Sequence, residues 1–276
     1  MGGLERLEER ALLHAGPVAR HVAAAVRAPQ NPPTAQGPSL QQALLESYAS
    51  PGAFSSVVVQ TRDAAIIVPS GLVPGRNYPL VVAFAWNGSP GVPFEVWRTL
   101  AEQNHWIVYG SKDYQNAVLR AGVAPSVNLA RVVKAQLDAL AGELPIDTSR
   151  IIFTGYSGGG NYAEFMNLVY PGYAAAVISN SGRIPSELFR RRPTPGSLSM
   201  PTAADYAGSR REAVLIASPG DNPFYGDSLA NVHTWESLGW DTLFVSIPGG
   251  HVQASPATYD RIIAWITSQP SWTAGA

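Results

Sequence analysis

The chain has 276 residues, of which 46% are hydrophobic and 14% charged, a balance that suits one large α/β domain with a sizeable core. A formal net charge of -1 gives no electrostatic basis for nucleic acid or an anionic membrane as partner. The absence of cysteine excludes disulfides, thiol nucleophiles and cysteine-held metals, and no run of about 18 apolar residues offers a transmembrane segment.

In chain order, residues 1 to about 28 read as short helical segments rich in Ala, Leu and Arg. Glu5, Glu8 and Glu9 stand where a secretory leader carries basic residues, and His14, Pro17, Arg20 and His21 interrupt the apolar stretch that follows. A cytoplasmic location is therefore the default expectation, with export open if the natural chain starts differently. Residues 29–38 carry four prolines and read as a linker, followed by a short helix over Leu40 to Tyr48. This divides the chain into an N-terminal extension with linker, 1–53, and a main domain, 54–276.

The main domain alternates strand and helix. Strands are expected at Ser56 to Gln60, Ala64 to Val68, Leu80 to Ala85, Trp106 to Tyr109, Arg150 to Thr154, Ala174 to Ser179, Val214 to Ala217 and Leu243 to Ile247. Helices are expected at Phe94 to Gln103, Ser126 to Ala141, Asn161 to Met166 and beyond, Leu229 to Leu238, and Tyr259 to Thr267. Such alternation implies right-handed crossovers and a mostly parallel central sheet flanked by helices. Residues 183–211, with Arg190, Arg191 and Arg192 followed by several Pro, Ser and Thr, break the rhythm. They read as a lid or rim excursion, or as a solvated loop.

The most informative stretch is Gly155-Tyr156-Ser157-Gly158-Gly159, placed between a strand and a helix. That is the context of a G-x-S-x-G nucleophile elbow, where a sharp turn holds a serine clear of the backbone at a helix N-terminus. A serine hydroxyl needs a base within hydrogen-bond reach, and the base needs a group that fixes its tautomer. Of the five histidines, His14 and His21 lie in the extension, His105 begins a strand and His233 lies within a helical pattern. His251 instead follows a strand and the turn Pro248-Gly249-Gly250, which puts it at the C-terminal edge of the sheet with Ser157. Asp221 follows another strand and the turn Ser218-Pro219-Gly220, at the same edge. Asp227 is its rival as the acid, although near a helix start its ordinary role is dipole partner or cap. Asp205, Asp241 and Asp260 sit in less suitable places. Oxyanion donors are expected from the N–H of Gly158 and from the loop after the strand Leu80 to Ala85, at Trp86 or Asn87.

With these residues in place, the chain resembles the α/β-hydrolase superfamily. More narrowly it resembles the esterase and polyhydroxybutyrate-depolymerase-like branch, which includes feruloyl esterases. The likeness rests on Val68-Pro69-Ser70-Gly71 with Pro79-Leu80-Val81-Val82 following, Leu144-Pro145-Ile146-Asp147-Thr148-Ser149-Arg150-Ile151, the elbow, and Pro171. It spans about Phe54 to Trp265. One departure is Trp86-Asn87-Gly88, where the family usually has His-Gly. The resemblance implies an α/β-hydrolase fold and cofactor-free hydrolysis of carboxylic esters, small or polymeric, without a metal. Trp86, Tyr114, Tyr156, Phe224 and Tyr225 are the candidate substrate-lining aromatics. A serine peptidase using the same triad, or a catalytically silent scaffold used for binding, are the alternatives.

Overall fold

The computed structural model describes residues 37–50, 56–61, 63–84, 92–111, 127–184, 199–207 and 211–273. In chain order these form α1 (Leu40–Ala49), β1 (Val57–Gln60), β2 (Ala64–Val68), β3 (Tyr78–Phe84), α2 (Val92–Asn104), β4 (Ile107–Ser111), α3 (Val127–Glu143) and β5 (Ile146–Tyr156). Then come α4 (Gly158–Val169), β6 (Ala176–Asn180), a 3-10 turn (Ala203–Tyr206), β7 (Glu212–Ala217), α5 (Phe224–Ser237), β8 (Asp241–Ser246), α6 (Pro256–Thr267) and α7 (Pro270–Thr273).

The eight strands form one sheet in the order β1-β2-β4-β3-β5-β6-β7-β8. Strand β2 pairs antiparallel with both β1 and β4, and the pairings β4-β3, β3-β5, β5-β6, β6-β7 and β7-β8 are parallel. The parallel strands are continuous apolar runs because helices cover both faces. The period-two alternation sorts the side chains cleanly. In β3, Leu80, Val82 and Phe84 join the core under α1, α3, α4 and α5. Val81 and Ala83 join the core under α2, α6 and α7. Helix α3 meets the sheet through Leu129, Val133, Leu137 and Leu140, the helical spacing seen in the sequence. Helix α6 starts where Ser255 accepts from the amide of Thr258, with proline in the first turn.

Two boundaries differ most from the sequence expectation. Strand β5 begins at Ile146, because Asp147 to Arg150 form an irregularity within the strand and not a turn before it. Asp147 holds that irregularity by accepting from the amide and hydroxyl of Ser149 at 2.9 and 2.5 Å and from Arg150 Nε at 2.6 Å. Helix α5 begins at Phe224, ahead of the expected Leu229. Within the excursion, Tyr206 is buried, packs edge-on against Trp240 and donates to the carbonyl of Asn167; Arg190, Arg191 and Arg192 lie outside the described residues.

Helix α1 stands before the expected domain start at residue 54, yet it shares the sheet's core. Ala43 and Ser47 are buried, and Ser47 Oγ donates to the carbonyl of Pro69 while its own carbonyl accepts from Gly71. Among the described residues no helix is long and apolar enough to cross a membrane, and no group of side chains is arranged to hold a metal.

Candidate active site

The C-terminal edge of the parallel sheet collects the ends of β5, β6, β7 and β8. Ser157 occupies the single residue between β5 and α4, at φ 55° and ψ -121°. A non-glycine residue with positive φ is uncommon and holds backbone strain that its surroundings must enforce. Two contacts enforce it: the Ser157 amide donates to the carbonyl of Asn180 at 2.8 Å, and its carbonyl accepts from Asn161 at 3.1 Å. Gly155 makes the turn possible, since a Cβ there would lie 2.2 Å from the carbonyl carbon of Gly159.

The structure brings Ser157, His251 and Asp221 into one hydrogen-bonded chain. Ser157 Oγ is 2.9 Å from His251 Nε2. His251 Nδ1 is 3.0 Å from both carboxylate oxygens of Asp221. An ionised carboxylate only accepts, so Nδ1 carries the proton and Nε2 is left to accept from the serine. Asp221 is 4% exposed, whereas His251 is 37% exposed and open to an incoming molecule. The acid loop is fixed in turn: the Asp221 amide donates to Ser218 O, and its carbonyl accepts from Tyr225. Asp227 sits in the first turn of α5, where its charge complements the helix dipole; the carboxylate that reaches His251 is Asp221.

The other candidates fall as follows. Gly158 opens α4, whose first-turn amides have no intrahelical acceptor. Trp86, Asn87 and Tyr114 lie outside the described residues, as do His14 and His21. The Tyr156 and Phe224 rings both pack against the His251 ring, with centroids 4.9 and 4.8 Å away. Tyr225 packs edge-on against Phe244. His105 Nδ1 meets the carbonyl of Ser70, and exposed His233 pairs with Glu236. Asp205 caps the 3-10 turn through Thr202.

Asn180 and Ser218, to which the sequence pattern assigns no tying role, hold this edge together, and Glu164 lies beneath it. Asn180, fully buried at the end of β6, accepts from the amide of Ala254 at 2.6 Å and donates to the carbonyl of Val252 at 3.3 Å. Since the Asn180 carbonyl also holds Ser157, this residue ties the elbow to the histidine loop. Ser218 Oγ donates to the carbonyl of Gly249, which ties the acid loop to the same segment. Glu164, one face deeper on α4, is fully buried and accepts from Ser179 Oγ at 2.6 Å, Asn231 Nδ2 at 2.8 and 3.0 Å, and Trp235 Nε1 at 3.3 Å. Burial pushes its carboxyl up to about 7, against these donors, which favour the ionised form. Burial, then the Asp221 charge, raises the Tyr156 phenol above its usual range. The one sequence signal for these residues is the polar run Ser179-Asn180-Ser181 at the end of an apolar strand.

No family model matches the chain, and no curated protein matches it in sequence. Solved structures do match. FphF, a fluorophosphonate-binding serine hydrolase of Staphylococcus aureus, superposes with a TM-score of 0.58 at 14% identity, over 80% of this chain and 100% of its own. The esterase PE8 superposes with 0.53 at 20% identity, over 74% and 98%. Dipeptidyl peptidase 4 of Porphyromonas gingivalis superposes with 0.53 at 13% identity, over 78% of this chain but 35% of the peptidase. The chain has the α/β-hydrolase fold, and its structural neighbours include esterases and other serine hydrolases of that superfamily.

Proposed function

We propose that this chain is a serine hydrolase that cleaves carboxylic esters through an acyl-enzyme. Ser157 attacks the ester carbonyl while His251 Nε2 takes the hydroxyl proton. Asp221 keeps the imidazole in the required tautomer and stabilises the imidazolium. The tetrahedral oxyanion is met by the Gly158 amide at the positive end of α4, with a second donor from Trp86 or Asn87. The imidazolium protonates the leaving alcohol, and His251 then activates water to release the acid. The mechanism uses no cofactor. The substrate is a small or polymeric ester.

The observation that carries this reading is the unbroken chain from Ser157 Oγ at 2.9 Å to His251 and at 3.0 Å to buried Asp221, on a strained elbow. The same triad can serve amides, and a peptidase is the second reading because dipeptidyl peptidase 4 shares the fold. The ester reading is favoured by the esterase PE8, which is matched over 98% of its own length. The test is turnover of p-nitrophenyl acetate beside p-nitroanilide peptides. The expected result is ester turnover that Ser157→Ala abolishes in a protein of unchanged fold. Persistence of that turnover in Ser157→Ala would sink the assignment, and faster anilide cleavage would favour the peptidase.

A further inference from the structure

His251 is held by more than its two polar partners. The Tyr156 ring lies 4.9 Å from the imidazole, with planes inclined at 34°, and the Phe224 ring lies 4.8 Å away at 33°. Both ring pairs are tilted and lie within ring-contact distance. Tyr156 makes a further bond, its phenol donating to the backbone carbonyl of His251 at 2.8 Å. It therefore grips both the main chain and the ring of the same residue. Tyr156 is the last residue of β5, directly before Ser157, and Phe224 is the first of α5, three residues after Asp221. The elements that supply nucleophile and acid thus each also supply one aromatic wall. Only 9% of Tyr156 is exposed, so little of it remains for a substrate to touch.

We propose that Tyr156 and Phe224 are positioning residues for the base, forming an aromatic seat that holds the His251 imidazole in line with Ser157 and stabilises its protonated form. The proposal rests on the reading of Ser157, His251 and Asp221 as the catalytic set. The physical case has two parts. Acyl transfer passes through an imidazolium, and an aromatic face at this distance attracts a cation. Exposed as it is, the imidazole also needs apolar walls to keep Nε2 aimed at the hydroxyl, and small misalignments of a base are costly. Among the described residues, the titratable groups in contact with His251 are Asp221 from the loop after β7, Tyr156 from β5 and Ser157 at the elbow. Asp227 follows Phe224 in the first turn of α5, and the histidine's own neighbours Gly249, Gly250 and Val252 carry no charge.

The seat is tested with Phe224→Leu, Tyr156→Leu, Tyr156→Phe and the conservative Phe224→Tyr, each checked for folding by circular dichroism and melting. kcat and KM for p-nitrophenyl acetate are measured across pH, and the His251 ring resonance is titrated by NMR. Both leucine variants are expected to lose about tenfold in kcat with KM held within about twofold. The acid limb of the pH profile and the NMR midpoint should both move about half a unit to lower pH, because the protonated ring has lost a partner. Phe224→Tyr should restore both readouts. Tyr156→Phe should keep the acid limb, since the ring remains, and lose only part of kcat. An unmoved acid limb and midpoint in the leucine variants, or a loss that resides in KM, would overturn the seat and make these rings a substrate surface. Turnover that survives Ser157→Ala would instead overturn the catalytic reading, and the NMR midpoint would still decide the seat.

Discussion

The two faces of the sheet are built differently. Under α2, α6 and α7 the contacts are mainly aromatic and aliphatic: Trp97 packs against Tyr259 at 5.2 Å, Trp106 against Trp272 at 5.6 Å, and Ile262, Ile263 and Ile266 fill the gap. Under α4 and α5 the packing encloses a carboxyl group, Glu164, with donors from three different residues, whereas the buried carboxyl on the other face, Glu212, accepts from Ser271 of α7. Non-directional burial fixes how far a layer stands from the sheet and stabilises it in proportion to area. Hydrogen bonds fix orientation as well, and a missing partner in the interior is costly. The face with the directional network is the one that carries the elbow helix. The same wiring continues at the strand ends through Asn180 and Ser218.

On this contrast, substitutions in the wiring should cost turnover, and substitutions on the opposite face should cost stability alone. The largest effect is expected for Asp221→Asn, which leaves the imidazole without its carboxylate: p-nitrophenyl acetate turnover should fall on the order of a thousandfold or more, while Asp227→Asn stays within about threefold. A reversed ranking would move the acid to Asp227. Next comes Asn180→Ala, which strands the buried amide of Ala254 and frees the histidine loop from the elbow. Turnover should fall about tenfold or more and stability by about 1–3 kcal/mol, read from kinetics and urea titration. Full activity in that variant would mean the loop is positioned without Asn180.

Glu164 gives a smaller effect with a definite sign. Its folded-state value of about 7 lies above the ordinary 4.5, so the folded protein holds a proton that the unfolded chain releases first. Its contribution to stability is fully present below about pH 4.5, falls as pH rises to about 7, and is flat above. Glu164→Gln should remove that part of the pH dependence in urea titrations; an unchanged slope would show the carboxyl ionised throughout by its donors. The smallest effect is expected on the apolar face. Ile262→Val should cost about 0.5–1.5 kcal/mol and leave kcat unchanged well below the melting temperature.

Much of this architecture is legible in the residues. The continuous apolar run from Leu80 marks β3 because a strand covered on both faces has no polar side to show. The elbow is legible because only a glycine-rich stretch can turn so sharply between strand and helix. Asp221 and His251 can be placed at one edge because each follows a strand and a short turn. What escapes is of two kinds. The start of α5 hides behind Gly226 and two aromatics that carry no helical periodicity, and β5 hides its first residues behind a side-chain-held irregularity that mimics a turn. Asn180 and Glu164 escape because their roles arise from partners 74 and 67 residues away, which no local pattern records.

The central claim is that Ser157 is an activated nucleophile. The most direct measurement is labelling of the folded protein with a fluorophosphonate, with the adduct located by peptide mass spectrometry. The account predicts one adduct, on the peptide that carries Ser157, absent in Ser157→Ala and strongly slowed in Asp221→Asn. No adduct on the wild-type chain, or an adduct that survives Ser157→Ala, would contradict it.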